Sequence, residues 1–299
     1  MTQGMHAGQL TIDAAMAASL IAREFPALAG MPLTAVSGSG TVNAVFRVGA
    51  DLAARFPLEA TDAAALDAEA RSLAEFADAS PVAAPRPVGI GSGDDGYPSA
   101  WSLQTWVPGR VADPFVCAAS VAFAEDVAAL ILALRRVPVA GRVFDGQGRG
   151  GELSDHDEWM AHCVSQSSGI VDTRRVAVLW HRLRGVPASG AHVMSHRDLT
   201  PANLLVSDGR LTGVLDAGGF GPADRSLDLV VAWHLFDEPA RTRLRDAVGA
   251  SEAEWLPGAG WALQQAMGLV WYYAESNPVM AELGRSTVAR LLDDEEIGG

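Results

Sequence analysis

The sequence predicts an α+β protein of two lobes: a small lobe built on an antiparallel sheet, then a larger and mainly helical one. Three observations carry this. Strand-like segments broken by Gly-rich turns crowd the chain before Val107, helical periodicity dominates after Pro108-Gly109, and the one late exception is a short apolar hairpin within Leu204–Leu215. The expected division is residues 1–107 as the smaller, sheet-based N-lobe and 108–299 as the larger, helical C-lobe. With 299 residues, 49% of them hydrophobic, the chain can bury a large core in such an architecture.

Taken in order, Thr11–Ala27 sets Ile12, Met16, Leu20 and Ile21 at helical spacing, with Asp13 at the favourable positive end. Leu33–Val36, Asn43–Val48 and Leu52–Phe56 read as three antiparallel strands linked by Ser37-Gly38-Ser39-Gly40 and Gly49-Ala50-Asp51. A helix over Asp62–Ala77, with Thr61 as N-cap, carries the apolar stripe Leu66, Leu73, Phe76. Glu69 falls on that stripe, and because a buried lone carboxylate costs several kcal/mol (about 3–5) it calls for a cationic partner, for which Arg55 is the candidate. Ala100–Val107 is a further strand. Helices are expected at Val121–Arg135, Glu158–Gln166, Val171–Arg184, Ser226–Leu235 and Glu254–Asn277, and Ser207-Asp208-Gly209-Arg210 supplies an Asp-Gly hairpin turn.

Composition removes several classes of function. A net charge of −14 repels nucleic acid and anionic lipid, so neither is an expected partner, whereas a cationic small molecule would be attracted. No apolar run is long enough to span a bilayer and Met1–Leu10 lacks the pattern of a signal peptide, which points to the cytoplasm. Cys117 and Cys163, far apart and outside any Cys-x-x-Cys pair, fit structural thiols better than a disulfide framework or zinc site.

The chemistry-bearing stretch is His196-Arg197-Asp198 through Asn203 to Asp216. Phosphoryl transfer asks a protein for a group that orients the acceptor hydroxyl, oxygen ligands for magnesium and cover for the triphosphate. Asp198 fits the first role. Asn203, five residues on, and Asp216, across the hairpin, offer hard oxygen ligands to Mg2+. His196 suits a scaffold beneath the loop. Singly these residues are common; their order around a hairpin, after a strand-rich segment with Arg55 and Glu69, is not.

On these residues the chain resembles the aminoglycoside phosphotransferase family, whose members share the protein-kinase-like fold. The carrying segments are Ser39-Gly40-Thr41-Val42-Asn43-Ala44-Val45-Phe46-Arg47, Ala54-Arg55-Phe56-Pro57, Glu69-Ala70-Arg71, His196–Leu205 and Val214-Leu215-Asp216, with Trp271-Tyr272-Tyr273 and Asn277-Pro278 near the end. The resemblance implies that Ser37–Asn43, including Ser39, Thr41 and Asn43, covers the triphosphate of ATP or GTP. It implies that Arg55, paired to Glu69, touches the α and β phosphates, and that the base docks on the linker Gln104–Val107, through Gln104, Thr105 and Val107. Asp228 matches a buried Asp that braces the catalytic loop. Arg55 stands where many members carry Lys, a change that resembles macrolide phosphotransferases; Arg197 stands where antibiotic kinases usually carry Gly; and Asp216-Ala217-Gly218 lacks the Phe of protein kinases.

Only Ala217–Leu227 separates Asp216 from Asp228, too little for a peptide-binding activation segment, so a small hydroxylated acceptor is expected. The leading reading is an O-phosphotransferase for an aminoglycoside- or macrolide-like antibiotic, acting as a monomer or homodimer. The alternatives are a kinase for a metabolite such as choline, homoserine or a sugar, and a nucleotide-binding pseudokinase that senses or docks. Glu275, Trp233, Trp271, Tyr272 and Tyr273 could contact an acceptor; as bland readings, the aromatics are core and the tail Asp293-Asp294-Glu295-Glu296 is a solvated charge run.

Overall fold

The computed structural model describes residues 9–36, 42–187, 190 and 192–298. It divides into two compact units, Met1–Asp78 with Ala83–Pro108, and Ala79–Val82 with Gly109–Gly299.

The first unit begins with helix α1 (Ala14–Glu24). Asp13 is its N-cap and not a first-turn residue, its carboxylate accepting from the Met16 amide at 2.8 Å. Strands β1 (Leu33–Ala35), β2 (Asn43–Val48) and β3 (Leu52–Pro57) come next, then helix α2 (Ala63–Ala79) and strands β4 (Pro87–Gly91) and β5 (Trp101–Thr105). The five strands form one antiparallel sheet in the order β1-β2-β3-β5-β4. Side chains alternate between the two faces of a strand. Ala54 and Phe56 of β3 therefore enter the core while Arg55 between them points to the opposite face and is only half-buried.

That core is aromatic. Phe56 stacks on Trp101 at 5.0 Å between ring centres and meets Phe46 and Tyr97 edge-on, and Ala17, Leu20 and Ile21 of α1 close over them. The Tyr97 hydroxyl donates to Pro57 O at 2.6 Å, and burial pushes its pKa up to about 12. Gly91 sits against Trp101, where an added Cβ would lie 2.2 Å from the indole, so no larger residue fits.

Two sequence expectations are corrected in α2. Asp62, not Thr61, caps it, accepting from the Ala65 amide at 2.8 Å, while the Thr61 hydroxyl donates to Glu59 O. Leu66, Leu73 and Phe76 are buried, yet Glu69, in line with them, is exposed. Burial therefore gives no reason of its own for a cationic partner at Glu69.

The second unit opens with β6 (Arg110–Val111) and short α3 (Pro114–Cys117), then α4 (Val121–Arg135), α5 (Asp157–Gln166) and α6 (Thr173–Leu183). Next come β7 (His192–Ser195), the hairpin β8 (Leu204–Ser207) and β9 (Arg210–Val214), and β10 (Gly221–Asp224). Helices α7 (Val231–Leu235), α8 (Glu238–Val248), α9 (Glu252–Tyr272) and α10 (Pro278–Asp293) complete it. The hairpin turns through Asp208 and Gly209, both at positive φ, as a two-residue turn requires. Asp126 of α4 anchors it, accepting from the Arg210 guanidinium and the Leu211 amide. β7 pairs with β10 and β8 with β6 and β9, so the segment between β7 and β8 hangs between two small sheets.

The expected helix over Ser226–Leu235 is a 3-10 turn, Leu227–Val230, running into α7, and Glu254–Asn277 is cut at Tyr272. Asn277 caps a new helix, α10, with Pro278 in its first turn, a start signal that outweighs the apolar pattern running through it. Within the acidic tail Asp294 is held, pairing with buried Arg241 at 2.9 Å, while Asp293, Glu295 and Glu296 stay exposed, Glu296 reaching Arg245 at 2.6 Å. Trp233 is fully buried, Trp271 is half-buried with its indole N–H directed to Cys163 Sγ, and Tyr272 is exposed. Among the described residues no helix is long and apolar enough to cross a membrane.

Replacing Phe56 by Ala should destabilise the first unit by about 3–5 kcal/mol, the cost of emptying a well-packed aromatic position. Denaturant unfolding monitored by tryptophan fluorescence measures it; a loss below about 1 kcal/mol would show that the aromatic cluster does not hold the sheet.

Candidate active site

Strand β7 delivers the catalytic loop. Ser195 and His196 are buried at its end, and one carboxylate organises the turn beyond them. Asp228, itself 4% exposed, accepts from the Ser195 hydroxyl at 2.8 Å and the Arg197 amide at 3.2 Å on one oxygen, and from the His196 amide at 3.0 Å on the other. Arg197 has φ +71°, a left-handed conformation that a side chain with a Cβ resists, and these bonds hold it there. The His196 ring fixes the far side of the loop. Its Nδ1 accepts from the Asp198 amide at 3.3 Å, so Nε2 carries the proton and donates to Leu215 O at 2.9 Å. The scaffold role expected of His196 rests on these bonds.

Asp198 presents a half-exposed carboxylate. Asn203 lies in a short 3-10 turn before β8 and donates through Nδ2 to Asp198 O at 2.8 Å and Oδ2 at 3.1 Å. Its amide nitrogen is spent on Asp198, which turns the amide oxygen, a hard ligand, to the other side. The Leu215 amide donates to Asn203 O at 2.8 Å, so Leu215 is tied to the loop at both its N–H and its carbonyl. Asp216 is the next residue, exposed and at φ +56°. Asn203 thus holds Asp198 on one side and Leu215, the residue before Asp216, on the other, at one end of the hairpin. No cluster of three His, Cys, Asp or Glu that could cage a metal occurs among the described residues. Magnesium does not need one, because it takes one or two protein oxygens and fills the rest of its octahedron with water and phosphate.

A second loop, missed at the level of sequence, closes on the first. Asp145-Gly146-Gln147-Gly148-Arg149-Gly150 has its three glycines at positive φ. Arg197 donates to both Asp145 carboxylate oxygens at 3.1–3.2 Å and to Gln147 O at 2.6 Å, and stacks on Phe144. The Arg197 guanidinium holds the Asp145 carboxyl below the usual carboxylate range. In the opposite direction Arg149 donates to Asp198 Oδ1 at 2.9 Å. Gly150 must be glycine: its carbonyl takes the Asp224 amide at 2.8 Å, and a Cβ there would meet Ala223 at 2.8 Å. Three glycines alternating around an Arg was the available signal.

Of the residues expected in the first unit, Asn43 opens β2, opposite Pro57; Gln104 and Thr105 lie in β5; and Val107 is buried. The Thr105 amide donates to Arg86 O and the Trp106 amide to Asp51 O, which leaves neither N–H for a nucleotide base. Ser39 and Thr41 lie outside the described residues.

The model of the phosphotransferase enzyme family matches residues 34–262. The chain belongs to that family. Members to which it is similar include an aminoglycoside 3'-phosphotransferase of Escherichia coli, 30% identical over 146 residues that cover 46% of this chain and 54% of the relative, and one of Salmonella typhimurium with the same figures. The chain thus spans about half the length of the curated relatives it matches. Among solved structures, the fold is shared with the GDP and kanamycin complex of APH(2")-IIia, at TM-score 0.70 and 19% identity over 92% of this chain and 98% of that one. It is shared also with the macrolide 2'-phosphotransferase MphH from Brachybacterium faecium, at TM-score 0.60 and 18% identity, again over 92% and 98%. The expected fold class, an antiparallel-sheet lobe with a helical lobe, holds for this family member.

Within the second unit, His234 of α7 is fully buried, and its pKa is lowered to about 4, first by desolvation and then by Arg149 and Arg290, against the raising pull of Gln265 and Asp198. The unfolded chain binds this proton at the ordinary 6.5 and the folded one refuses it until about 4. Stability therefore rises with pH across that window and falls as acid is added, by about 3 kcal/mol over the whole interval. A histidine NMR titration checks this: the His234 ring should stay neutral down to about pH 4, and a midpoint at the ordinary value would contradict its burial.

Proposed function

We propose that the protein is a small-molecule O-phosphotransferase that moves the γ-phosphate of ATP or GTP to a hydroxyl of an aminoglycoside- or macrolide-like antibiotic. The observation that carries the reading is the catalytic loop, in which Asp198 is held at the end of the hairpin beside Asn203 and Asp216. Family membership supports it, and so do the named relatives, which are aminoglycoside and macrolide phosphotransferases.

In this reading Asp198 accepts the hydrogen bond of the incoming hydroxyl and aims its oxygen at the γ-phosphorus. Phosphoryl transfer passes through a loose transition state, so the carboxylate serves mainly to orient, taking the proton as the new P–O bond forms and the bond to the bridging oxygen breaks. Asn203 and Asp216 would hold magnesium through Oδ1 and a carboxylate oxygen; the ion, when bound, supplies charge neutralisation on the phosphates. The N-lobe, residues 1–107, takes the nucleotide in this proposal. Ser39, Thr41 and Asn43 cover the triphosphate, Arg55 meets its α and β phosphates with Glu69 as partner, and Gln104, Thr105 and Val107 line the base. The family resemblance supports that pairing; the burial of Glu69 does not, since Glu69 is exposed. The C-lobe, residues 108–299, takes the acceptor. The chain acts in the cytoplasm as a monomer or homodimer.

Magnesium-dependent phosphate transfer, screened with ATP and GTP against aminoglycosides, macrolides, choline, homoserine and sugars, should give one acceptor class that gains a single phosphate by mass. Asp198→Ala should lower turnover by about 100- to 10,000-fold. Equal rates for wild type and Asp198→Ala across the panel would remove the enzyme reading in favour of a pseudokinase.

A further inference from the structure

Asp198 is held from both sides. Asn203 Nδ2 donates to one carboxylate oxygen and Arg149 Nη2 to the other. Arg149 comes from the glycine-rich loop, where a long side chain on a flexible backbone would ordinarily sample many rotamers and contribute little. Here its head is fixed by a buried chain of hydrogen bonds that runs inward from the loop.

At the inner end of that chain, Thr287 of α10, fully buried, spends its one hydroxyl proton on Leu283 O at 2.8 Å. Its oxygen, 3.0 Å from His234 Nδ1, must then accept, so Nδ1 carries a hydrogen and Nε2 of the neutral ring is an acceptor. Gln265 of α9 lies 2.8 Å from Nε2 and can satisfy it only with its amide nitrogen. That orientation turns the amide oxygen outward, where it accepts from Arg149 Nε at 2.7 Å and Nη2 at 3.1 Å. The opposite orientation would set an NH2 group against a guanidinium, donor facing donor. Each link has one sense, and together they present a carbonyl oxygen at the place that anchors the arginine fork.

We propose that Arg149, anchored by the Gln265 amide oxygen through His234 and Thr287, is the positioning residue that fixes the Asp198 carboxylate for the attacking hydroxyl. The inference rests on the phosphotransferase reading of Asp198. Two fixed N–H donors, one on each oxygen, set the carboxylate plane and leave the remaining lone pairs in one direction for the acceptor. An orienting group gains most from such restraint, because misplacement by about 1 Å costs roughly 100-fold in rate. Asp145, taking the Arg197 guanidinium, keeps the loop closed so that Arg149 stays within reach.

The test uses water as acceptor, since slow Mg2+-dependent hydrolysis of ATP and GTP requires the same aimed oxygen: water bonds to the γ-phosphorus, the bond to the bridging oxygen breaks, and the proton passes to Asp198 and then to solvent. Arg149→Met should lower kcat about 10- to 100-fold with nucleotide KM changed less than about twofold. Gln265→Met should lower kcat less, and the double variant should match Arg149→Met alone, because both act through one guanidinium. A purely structural role would instead give falls that multiply. Wild-type kcat in Arg149→Met, or multiplying effects in the double variant, would overturn the proposal. A second measurement needs no turnover: nitrogen-15 NMR should show slowed rotation of the Arg149 guanidinium in wild type and free rotation in Gln265→Met. A freely rotating wild-type guanidinium would also overturn it. Asp198→Ala serves as reference; if it hydrolyses nucleotide as fast as wild type, the phosphotransferase reading fails, and the NMR measurement still decides whether Arg149 is held.

Discussion

Everything at the candidate active site depends on where Asp228 puts its negative charge. A buried carboxylate is costly, and this one is satisfied by three donors from three consecutive residues, Ser195, His196 and Arg197. That forces the chain, as it leaves β7, to curl around the carboxylate. The curl sets Arg197 at positive φ and brings Asp198 out on the far side. Left-handed backbone at a non-glycine residue costs about 1–3 kcal/mol, and so does the similar strain at Asp216. Charge-assisted bonds to Asp228, each contributing about 1.5–3 kcal/mol, are large enough to offset it.

The glycine-rich loop makes the site reciprocal. Arg197 of the catalytic loop reaches Asp145, and Arg149 of the glycine-rich loop reaches Asp198, so each loop supplies a cation to the other's carboxylate. Both pairs are partly exposed and would be weak alone. They gain their worth from the groups behind them: Phe144 stacked on Arg197 on one side, and the Gln265–His234–Thr287 chain behind Arg149 on the other. The helical scaffold of α7, α9 and α10 therefore contributes to the geometry of a carboxylate that none of those helices carries.

Much of this was legible in the residues. The strands β2 and β3, helix α4 and the Asp-Gly hairpin are set by alternation, periodicity and turn chemistry, which are local. His196, Asp198, Asn203 and Asp216 stand out because their roles require particular atoms in a particular order. The errors came where two local signals competed. Asp62 and Thr61 can both cap α2, and the better-placed carboxylate won. The apolar pattern ran across Asn277-Pro278, and the capping signal won. Glu69 shows a different limit: spacing puts it on the apolar stripe, but whether a stripe is covered throughout its length is a tertiary fact. Helix α8 has its own signals in Asp237, Pro239 and Gly249, and they outweigh the polar surface between them that hides it from an apolar-periodicity reading. Gln265 and His234, 31 positions apart in chain order, had no local signal at all.

The central claim is that Asp228 shapes the catalytic loop, and Asp228→Asn tests it most directly, since one carboxamide oxygen cannot serve the donors that two carboxylate oxygens serve. Hydrogen exchange of the His196 and Arg197 amides should accelerate by at least about tenfold in the variant, as expected when a bond contributing about 1.5 kcal/mol is lost, while the β2–β3 amides keep their protection. Unchanged protection at His196 and Arg197 would show that the loop holds its shape without this carboxylate.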